Sequence, residues 1–384
     1  MYEIHTQRIP IKLWLDTIEE GALKQTKNIA DLPWAFHHIA VMPDAHEGFG
    51  MPIGGVLATE EVVIPNAVGV DIGCGMIAVQ TDLEDFSPGE LEPISRAIRE
   101  EIPSEFSRHK TEQPWEGFSE APDIGVVQRE LDSARRQIGT LGGGNHFIEL
   151  QKGDDGYIWL MLHSGSRNFG YTIAREFDKI ARKEAEKHEL DLPDKQLAPL
   201  FLDTAEGEAY FEAMEYAQRF AAASRAQMME KVQEILERYR PEVRYQETVN
   251  IHHNFAGPET HYGKEVIVHR KGATSARHGQ KGIIPGSQGT PSYIVEGLGN
   301  PESFESCSHG AGRVMGRKAA QRNLDLKEEQ ARLDRRGIYH NLRTTKDLDE
   351  AAGAYKEIDT VMAAQKDLVR PRVRLEPLAV VKGD

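Results

Sequence analysis

Residues 69–76 read Gly-Val-Asp-Ile-Gly-Cys-Gly-Met and place a carboxylate and a thiol three residues apart in a turn rich in glycine. Asp71 and Cys74 can converge on one point at this spacing, because the flanking glycines adopt backbone angles that other residues resist. A carboxylate with a thiolate is a mixed hard and soft ligand set, which suits a borderline transition ion better than calcium or magnesium. The turn therefore predicts part of a transition-metal site.

Several of the fifteen histidines follow apolar runs into turns of Gly, Ser or Asn, namely His146, His163, His252, His253 and His309. A lone histidine of this kind is more often a structural hydrogen-bond donor than a ligand, and a lone buried cysteine is usually inert. Together, however, one Asp, one Cys and three or four His are enough ligands for two metal ions that share a thiolate. His252 and His253 cannot both point inward from a strand, and spacing alone does not choose between them.

His309 lies in the segment Ser-His-Gly-Ala-Gly-Arg that ends at Arg313. Two glycines allow the backbone to approach a phosphate, and the guanidinium could clamp its charge. A neutral imidazole is a competent nucleophile toward phosphorus, whereas the simpler alternative is a polar residue at the start of a helix. Residues 142–144 and 285–290 are further candidate phosphate-binding loops, although neither fits the Walker pattern.

The chain has a net charge of −15, from 61 acidic and 46 basic side chains. This balance argues against a protein that coats nucleic acid through bulk electrostatics. Basic residues nevertheless concentrate at 261–281, 313–336 and 366–374. A mostly acidic protein with one basic face permits an RNA partner without requiring one.

The sequence shows no run of about 18 apolar residues, so no membrane partner is expected. Its first residues lack the apolar stretch of a secretory signal. With only two cysteines in 384 residues, we expect a reducing, cytoplasmic location.

The elements that must position these residues alternate between strand and helix patterns. Strands are predicted at 39–42, 55–58, 62–65, 145–151, 158–163 and 373–381, with short strands and turns over 247–296; helices are predicted at 91–101, 127–138, 172–188, 205–239, 314–335 and 347–366. The chemically suggestive residues are spread over nearly the whole chain in turns at strand ends. We therefore predict an α+β fold, with one large domain over residues 1–384 that has mixed sheets and a helical insertion at about 172–240.

Nine segments carry a resemblance in order along the chain: Val41–His46, Gly69–Met76, Leu141–Phe147, Leu162–Arg167, His253–Asn254, His269–Ala273, Pro285–Ser287, Ser308–Arg313 and Val380–Gly383. Together they resemble the RtcB family of RNA-splicing ligases. The segments Gly-Val-Asp-Ile-Gly-Cys-Gly-Met and His-Gly-Ala-Gly-Arg are the most specific of the set, and the resemblance covers almost the whole chain.

The resemblance implies a GTP- and manganese-dependent ligase that joins an RNA 3′-phosphate or 2′,3′-cyclic phosphate to a 5′-hydroxyl, in tRNA splicing or RNA repair. It implies that His309 attacks the α-phosphorus of GTP, releases pyrophosphate and carries GMP to the RNA 3′-phosphate. It further implies that Arg167 holds phosphates and that Asp44 acts in the later RNA steps. An activating protein is a further candidate partner.

The same resemblance implies two manganese ions bridged by Cys74. Asp71 and His146 would complete one site, and His163 and His253 the other, which favours His253 over its neighbour. The implied nucleotide contacts are Asn145, His146, Phe147, Ile148, Glu149, His253, Asn254, Pro285, Gly286, Ser287, Gln288, Ser292, His309, Gly310, Ala311, Gly312 and Lys382. Glu149 is the natural acceptor for the N–H groups of guanine.

Other functions stay open from the sequence. A dimetal phosphodiesterase would only open cyclic phosphates, and a nucleic-acid-binding protein would use the metal site structurally; neither needs a nucleophile at His309. A guanylyltransferase acting on nucleic-acid 3′-phosphates without efficient sealing is a further alternative. Whether the ends are of RNA or DNA, and arise in splicing or in damage, is also open.

Overall fold

The computed structural model describes residues 1–87 and 89–383. Its strands are β1 (Tyr2–Ile4), β2 (Ile11–Leu13), β3 (Ala35–Phe49), β4 (Met51–Thr59), β5 (Val62–Val63), β6 (Gly75–Thr81), β7 (Phe147–Gly153), β8 (Ile158–Ser164), β9 (Leu200–Phe201), β10 (Tyr245–His252), β11 (Asn254–His261), β12 (Lys264–Lys271), β13 (Ala273–Ser275), β14 (Lys281–Ile284), β15 (Ser292–Gly297), β16 (Ser306–Ser308) and β17 (Val369–Lys382).

The α-helices are α1 (Glu20–Ala30), α2 (Pro65–Val68), α3 (Leu91–Glu101), α4 (Gly125–Gln137), α5 (Arg167–Lys187), α6 (Ala205–Tyr239), α7 (Arg317–Asn323), α8 (Leu326–Asp334) and α9 (Ile358–Ala364). Short 3₁₀ helices cover Glu116–Glu120, Lys195–Leu197, Pro301–Ser303, Thr345–Glu350 and Ala352–Ala354. Within the described ranges, no helix has the length and apolar character needed to cross a membrane.

Two large sheets organise the strands. A six-stranded sheet has the order β1-β2-β3-β4-β12-β11 and is antiparallel except for the parallel pair β2–β3. A seven-stranded antiparallel sheet has the order β10-β6-β8-β7-β17-β15-β14. Strands β13 with β16, and β5 with β9, form two small ribbons. This arrangement confirms the α+β expectation.

Strand β8 shows how the core directs a side chain to the candidate site. All its residues are buried, and successive side chains face opposite sides of the sheet. Leu160 and Leu162 pack in a cluster with residues of α3 and α6, whereas Trp159 and Met161 pack on the other face. His163 shares the face of Trp159 and Met161 by this alternation, so the sheet delivers it to a fixed place at the strand end.

Several predicted elements are confirmed, and some of them begin and end at the predicted residues. Helices α3 and α6 have the limits predicted at 91–101 and 205–239, and the helix predicted over 172–188 begins earlier, at Arg167. Helix α1, which packs on the six-stranded sheet, was not predicted. The strands predicted at 39–42 and 55–58 lie inside the longer β3 and β4.

Three predicted elements are wrong in part. The strand predicted at 62–65 ends at Val63, because Pro65 begins a short helix. The helix predicted over 314–335 is divided into α7 and α8, since the side chain of Asp325 accepts the backbone N–H of Glu328 and starts a new helix. The helix predicted over 347–366 is largely two 3₁₀ turns, followed by the short α9.

The segment predicted as a helical insertion, 172–240, also contains a strand. Leu200–Phe201 forms β9 and pairs with β5. The helices on either side, α5 and α6, bury Phe169, Phe177 and Phe220 in one cluster with Ile72. The residue next to Asp71 is therefore part of the apolar core formed by these helices.

Candidate functional site

The Asp71–Cys74 turn joins α2 to β6. Gly69 and Gly73 have φ angles of 98° and 72°, which side-chain-bearing residues rarely adopt. The turn closes through a hydrogen bond of 3.1 Å that the Cys74 N–H donates to the carbonyl of Asp71. A Cβ on Gly75 would collide with the carbonyl oxygen of Ile251 in β10, so the glycine allows β6 to approach that strand closely.

Five of the predicted ligands lie together as two groups that share Cys74. We call Asp71, Cys74 and His146 the Asp71 cluster, and Cys74, His163 and His253 the His163 cluster; in each, one ligand atom per residue lies within 4.8 Å of the others. The Cys74 Sγ is 3.5 Å from Nε2 of His146 and 3.3 Å from Nε2 of His163. Because the sulfur belongs to both groups, it is placed where a bridging thiolate would be needed.

The donor atoms in these clusters fit metal ions. His163 Nδ1 lies 2.9 Å from the carbonyl oxygen of Asn145, to which it must donate, so its Nε2 carries a lone pair. That lone pair faces Nε2 of His253 at 3.3 Å. Nε2 of His146 faces the Asp71 cluster, at 3.5 Å from Sγ of Cys74 and 3.2 Å from Oδ2 of Asp71. Converging lone pairs of this kind are what a bound cation would satisfy.

Burial sets the protonation of the same residues. It lowers the pKa of both His163 and His253 well below the usual value, helped by the neighbouring histidines. It also raises the pKa of the Cys74 thiol well above the ordinary range, with the nearby Asp71 as the next cause. The imidazoles are therefore neutral and able to ligate, whereas the thiol needs a cation nearby to lose its proton.

Arg225 of α6 supports the turn and was missed by the sequence interpretation. Its side chain has no exposed surface, and its Nη1 donates to the carbonyls of Gly73, at 2.8 Å, and Ser164, at 3.0 Å. A sequence signal existed, because Arg225 falls on the buried stripe of α6 together with Ala221 and Met228. An arginine in such a stripe must find acceptors inside the protein.

The structure places His252 and His253 differently. His253 belongs to the His163 cluster, whereas Nδ1 of His252 lies 3.0 Å from the carbonyl of Gly73 and 3.1 Å from Arg225. The neighbouring Asn254 donates from Nδ2 to the carbonyl of Asp71 at 3.1 Å. His252 and Asn254 thus hold the turn, and only His253 lies among the cluster atoms.

His309 lies next to the His163 cluster, with its ring centroid 4.9 Å from that of His253. Its Nδ1 is 2.6 Å from Oδ2 of Asp44, and the same oxygen accepts the backbone N–H groups of His309 and Gly310 at 3.1 and 3.3 Å. Burial would raise the pKa of Asp44, but the His309 charge and hydrogen bond outweigh it and hold that pKa below its usual value. An ionised Asp44 accepts the proton on Nδ1, which leaves the lone pair on Nε2 of His309.

A cavity of about 370 Å³, which we call the His309 cavity, adjoins this histidine. Predicted nucleotide contacts that line it are Asn145, Phe147, Glu149, Pro285, Gly286, Ser287, Gln288, His309, Gly310, Ala311, Gly312 and Lys382. The volume and the mixture of glycine backbone with a few charged side chains are typical of a site for a small ligand.

Other predicted nucleotide contacts lie outside that lining. His146 and His253 belong to the metal clusters, and the side chain of Ile148 packs in the core on the opposite face of β7 from Glu149. Ser292 accepts the backbone N–H of Gly286 at 3.1 Å and so supports a lining loop.

Glu149 is a buried residue of the cavity lining. Its Oε2 accepts a hydrogen bond of 2.6 Å from Nε2 of Gln151. Burial raises the pKa of Glu149 to about 8, against the opposing effects of Gln151 and Lys382. The carboxyl therefore changes charge close to neutral pH, where most glutamates are already ionised.

Glu350 is a lining residue that the sequence interpretation missed. Its buried carboxylate is 2.9 Å from Nη1 of Arg313 and 2.8 Å from Nε of Arg317, and it accepts a hydrogen bond from the hydroxyl of Tyr355. Lys382 also acts on it electrostatically. This network gathers three cations on one wall of the cavity, where phosphate charge could be accommodated.

Glu259, His261 and Glu305 form a third group with metal-ligand spacing, but its chemistry does not fit a metal. Arg270 donates to both oxygens of Glu259, at 2.5 and 3.1 Å. After the cost of burial, the Arg270 charge lowers the pKa of Glu259 to about 2. The carboxylate is already neutralised by a guanidinium, so the group is an internal ion pair.

The fold and the site thus define an α+β protein with two clusters of metal-ligand residues that share Cys74 and lie beside a cavity lined by a histidine. The family model described as tRNA-splicing ligase RtcB matches residues 25–383. The chain belongs to the RtcB family.

Similar proteins cover almost the whole chain. The RNA-splicing ligase RtcB of Escherichia coli strain K12 is 41% identical, over 98% of this chain and 98% of its own length. The tRNA-splicing ligase RtcB of Thermococcus kodakarensis is 32% identical, over 95% and 92%. The RNA-splicing ligase RtcB of Mycobacterium tuberculosis is 32% identical, over 94% and 100%.

Proposed function

We propose that this protein is an RNA ligase that uses GTP and two manganese ions to join RNA 3′-phosphate or 2′,3′-cyclic phosphate ends to 5′-hydroxyl ends, in tRNA splicing or RNA repair. Its membership of the RtcB family supports the ligase class. The main observation in support of a nucleophilic His309 is the 2.6 Å contact between Oδ2 of Asp44 and Nδ1 of His309, which lines a cavity of nucleotide size.

The first step follows from the state of His309. With the Nδ1 proton held by Asp44, the Nε2 lone pair attacks the α-phosphorus of GTP and forms an N–P bond. The bond from that phosphorus to the bridging oxygen breaks, and pyrophosphate leaves with the electron pair. The imidazole then carries a positive charge, which the Asp44 carboxylate stabilises.

The later steps transfer and then release GMP. An oxygen of the RNA 3′-phosphate attacks the phosphorus on His309, which breaks the N–P bond and returns a neutral imidazole. The 5′-hydroxyl of the second RNA end then attacks the activated 3′-phosphate, loses its proton and displaces GMP. A cyclic phosphate is opened by water before this sequence begins.

Asp71, Cys74 and His146 would hold one manganese ion, and Cys74, His163 and His253 the other. When bound, the ions supply positive charge that stabilises the charge developing on phosphoryl oxygens. Since these ligands come from segments on both sides of α5 and α6, we interpret the chain as one functional domain.

Guanine would be read by Glu149, whose ionised carboxylate can accept the ring N–H and amino group together. Adenine offers no matching pair of donors on that edge. The cations around Glu350 would face the nucleotide phosphates. Lys382 lines the same cavity and interacts electrostatically with both Glu350 and Glu149.

The adduct is tested by incubating the protein with manganese and GTP labelled at the α-phosphate, followed by denaturation and electrophoresis. We expect an acid-labile labelled band that is absent from His309→Ala and retained in His188→Ala, a substitution of an exposed histidine at the end of α5. Absence of the band from the wild type, or its persistence in His309→Ala, would refute the proposal. Supplying an RNA with a cyclic-phosphate end and one with a 5′-hydroxyl end then separates a ligase from a phosphodiesterase, which would open the ends without joining them.

A further inference from the structure

A second cavity, of about 740 Å³, also reaches the candidate metal centre. We call it the Phe106 cavity. Asp71 and His146 line it, whereas His163 and His309 line the His309 cavity. Arg317 contributes to both. The two cavities therefore offer separate approaches to the same clusters of ligand atoms.

The Phe106 cavity collects exposed apolar side chains. Phe106 is 100% exposed, Tyr171 46% and Val70 41%, and all three line the cavity. They are three of the nine large hydrophobic residues that are exposed within residues 1–87 and 89–383. A single exposed apolar residue is ordinary, but a group at one cavity marks a surface that a ligand covers.

The same cavity carries more positive than negative charge. Arg108, Arg167 and Arg317 line it, against the carboxylates of Asp71 and Glu105. Of these carboxylates, Asp71 belongs to the Asp71 cluster and would be neutralised by a bound cation. Arg317 is paired with Glu350, so Arg108 and Arg167 remain against Glu105. This surplus of positive charge beside exposed aromatic rings favours an anionic ligand with flat bases.

Of the three arginines in this cavity, Arg167 lies beside a residue of the Asp71 cluster. A Cβ on Gly142 would collide both with the guanidinium of Arg167 and with Nδ1 of His146, so these two groups flank the same glycine. Nε of Arg167 donates to Thr140 at 3.0 Å, and Nη2 donates to the carbonyl of Glu105. The guanidinium is thus fixed beside a candidate metal ligand and bonded to the residue that precedes Phe106.

We propose that the Phe106 cavity binds the unpaired last nucleotides of the RNA strand that carries the 3′-phosphate. Their bases stack on Phe106 and Tyr171, and this path leads the terminal phosphate to Arg167, for which the family resemblance already implies a phosphate contact. This inference rests on the proposed ligase function. A terminal phosphate monoester carries up to about two negative charges, whereas a 5′-hydroxyl carries none, so the surplus of arginine favours the 3′-phosphate strand over the acceptor strand.

Stacking also defines the class of substrate. Every base has a π-face, so aromatic platforms accept any sequence, but the stacked bases must be free of a complementary strand. We therefore expect the enzyme to accept single-stranded 3′ ends of varied sequence. Ends held in a blunt duplex would first have to unpair.

The test measures binding of two fluorescent RNA hairpins in the presence of manganese and without GTP. One hairpin has a single-stranded 3′ overhang ending in a 3′-phosphate, and the other has a 5′ overhang ending in a 5′-hydroxyl. Phe106→Ala and Tyr171→Ala are compared with Tyr239→Ala, an exposed aromatic residue of α6 that lies outside the cavity lining. Thermal denaturation checks that each variant is folded.

We expect Phe106→Ala and Tyr171→Ala to weaken binding of the 3′-overhang hairpin by about 5- to 150-fold, the range for loss of one stacked base. Phe106→Trp should restore it, while Tyr239→Ala and the 5′-overhang hairpin should show no such loss. Abasic sites in the last three nucleotides should weaken wild-type binding and remove the difference between wild type and Phe106→Ala.

Unchanged affinity in both alanine variants would overturn the inference, as would a loss confined to the 5′-overhang hairpin. The ligase proposal fails separately, through absence of the His309 adduct with GTP in the wild type, whatever the RNA affinities are.

Discussion

Nδ1 of His309 and Oδ2 of Asp44 lie 2.6 Å apart, and the carboxylate that makes this contact is completely buried. The resemblance to known ligases suggested that Asp44 acts in the later RNA steps. Its position against His309 instead favours a role from the first step, because it selects the tautomer in which Nε2 is free to attack. Lys356 donates to the carbonyls on either side of Asp44, at 3.1 and 2.7 Å, and helps to fix that carboxylate.

Asp44→Asn should slow formation of the His309 adduct by up to about 10,000-fold, the effect that loss of the correct tautomer has in a histidine–aspartate pair. The measurement is the rate of labelling by α-labelled GTP. Asp359→Asn, which alters a carboxylate that accepts from Tyr293, is the control and should keep the wild-type rate. A wild-type rate in Asp44→Asn would show that the contact does not prepare the nucleophile.

The two cysteines make a matched pair for testing the metal centre. Both are free and buried, but Cys74 belongs to both ligand clusters, whereas Cys307 packs in an apolar cluster. Cys74→Ala should lose most of the bound manganese and the adduct. Cys307→Ala should keep both and lose only about 1–2 kcal/mol of the free energy of unfolding. Metal analysis after gel filtration measures the difference, and normal manganese content in Cys74→Ala would contradict the bridging role.

GTP binding should depend on pH through Glu149, whose pKa burial raises to about 8. Below that pH the carboxyl is mostly protonated and cannot accept both guanine N–H groups; above it the ionised form can. Affinity for GTP should therefore rise about tenfold between pH 7 and pH 9, as one group of this pKa requires. Calorimetric titration of the wild type and Glu149→Gln isolates the effect, since the variant should lack this rise. Equal pH dependence in the two proteins would refute guanine recognition by Glu149.

Arg225→Met should destabilise the protein by about 2–4 kcal/mol, because the carbonyls of Gly73 and Ser164 lose their buried donor. It should also weaken manganese binding by about 10- to 100-fold, since the ligand turn loses its support. Arg219→Met is the control on the same helix, where an exposed ion pair with Glu120 contributes at most about 1 kcal/mol. Denaturant unfolding and a metal titration provide the two readouts. Unchanged metal affinity in a folded Arg225→Met would limit its role to stability.

Helices with a clear apolar period could be predicted from the sequence, because local spacing decides their burial. Residues 91–101 are the best example, with limits equal to those of α3. Residues 205–239, whose limits equal those of α6, could be predicted from their helix-favouring composition. The region 314–366 could not be predicted, since its shape depends on contacts between distant residues. Glu350 is drawn to Arg313 and Arg317 inside the His309 cavity, and that network holds the chain in 3₁₀ turns where composition favours a helix.

In the candidate site, too, residues with a local sequence signal could be predicted, whereas residues placed by distant contacts could not. Asp71, Cys74 and the histidines could be proposed because reactive side chains in glycine-rich turns are conspicuous in the sequence. Glu350 and Arg225 were missed because charged residues in helix-like segments are usually on the surface. Only the packing of α6 against the ligand turn shows that Arg225 faces inward.

The central claim, that His309 carries GMP to an RNA end, is tested most directly by a pulse and chase. Protein labelled with α-labelled GTP is freed of nucleotide and then mixed with one RNA ending in a 3′-phosphate and another beginning with a 5′-hydroxyl. The account predicts that the label leaves His309, is found briefly on the RNA 3′ end and is released as GMP as joined RNA forms. Label that stays on the protein while the RNAs are joined would contradict it.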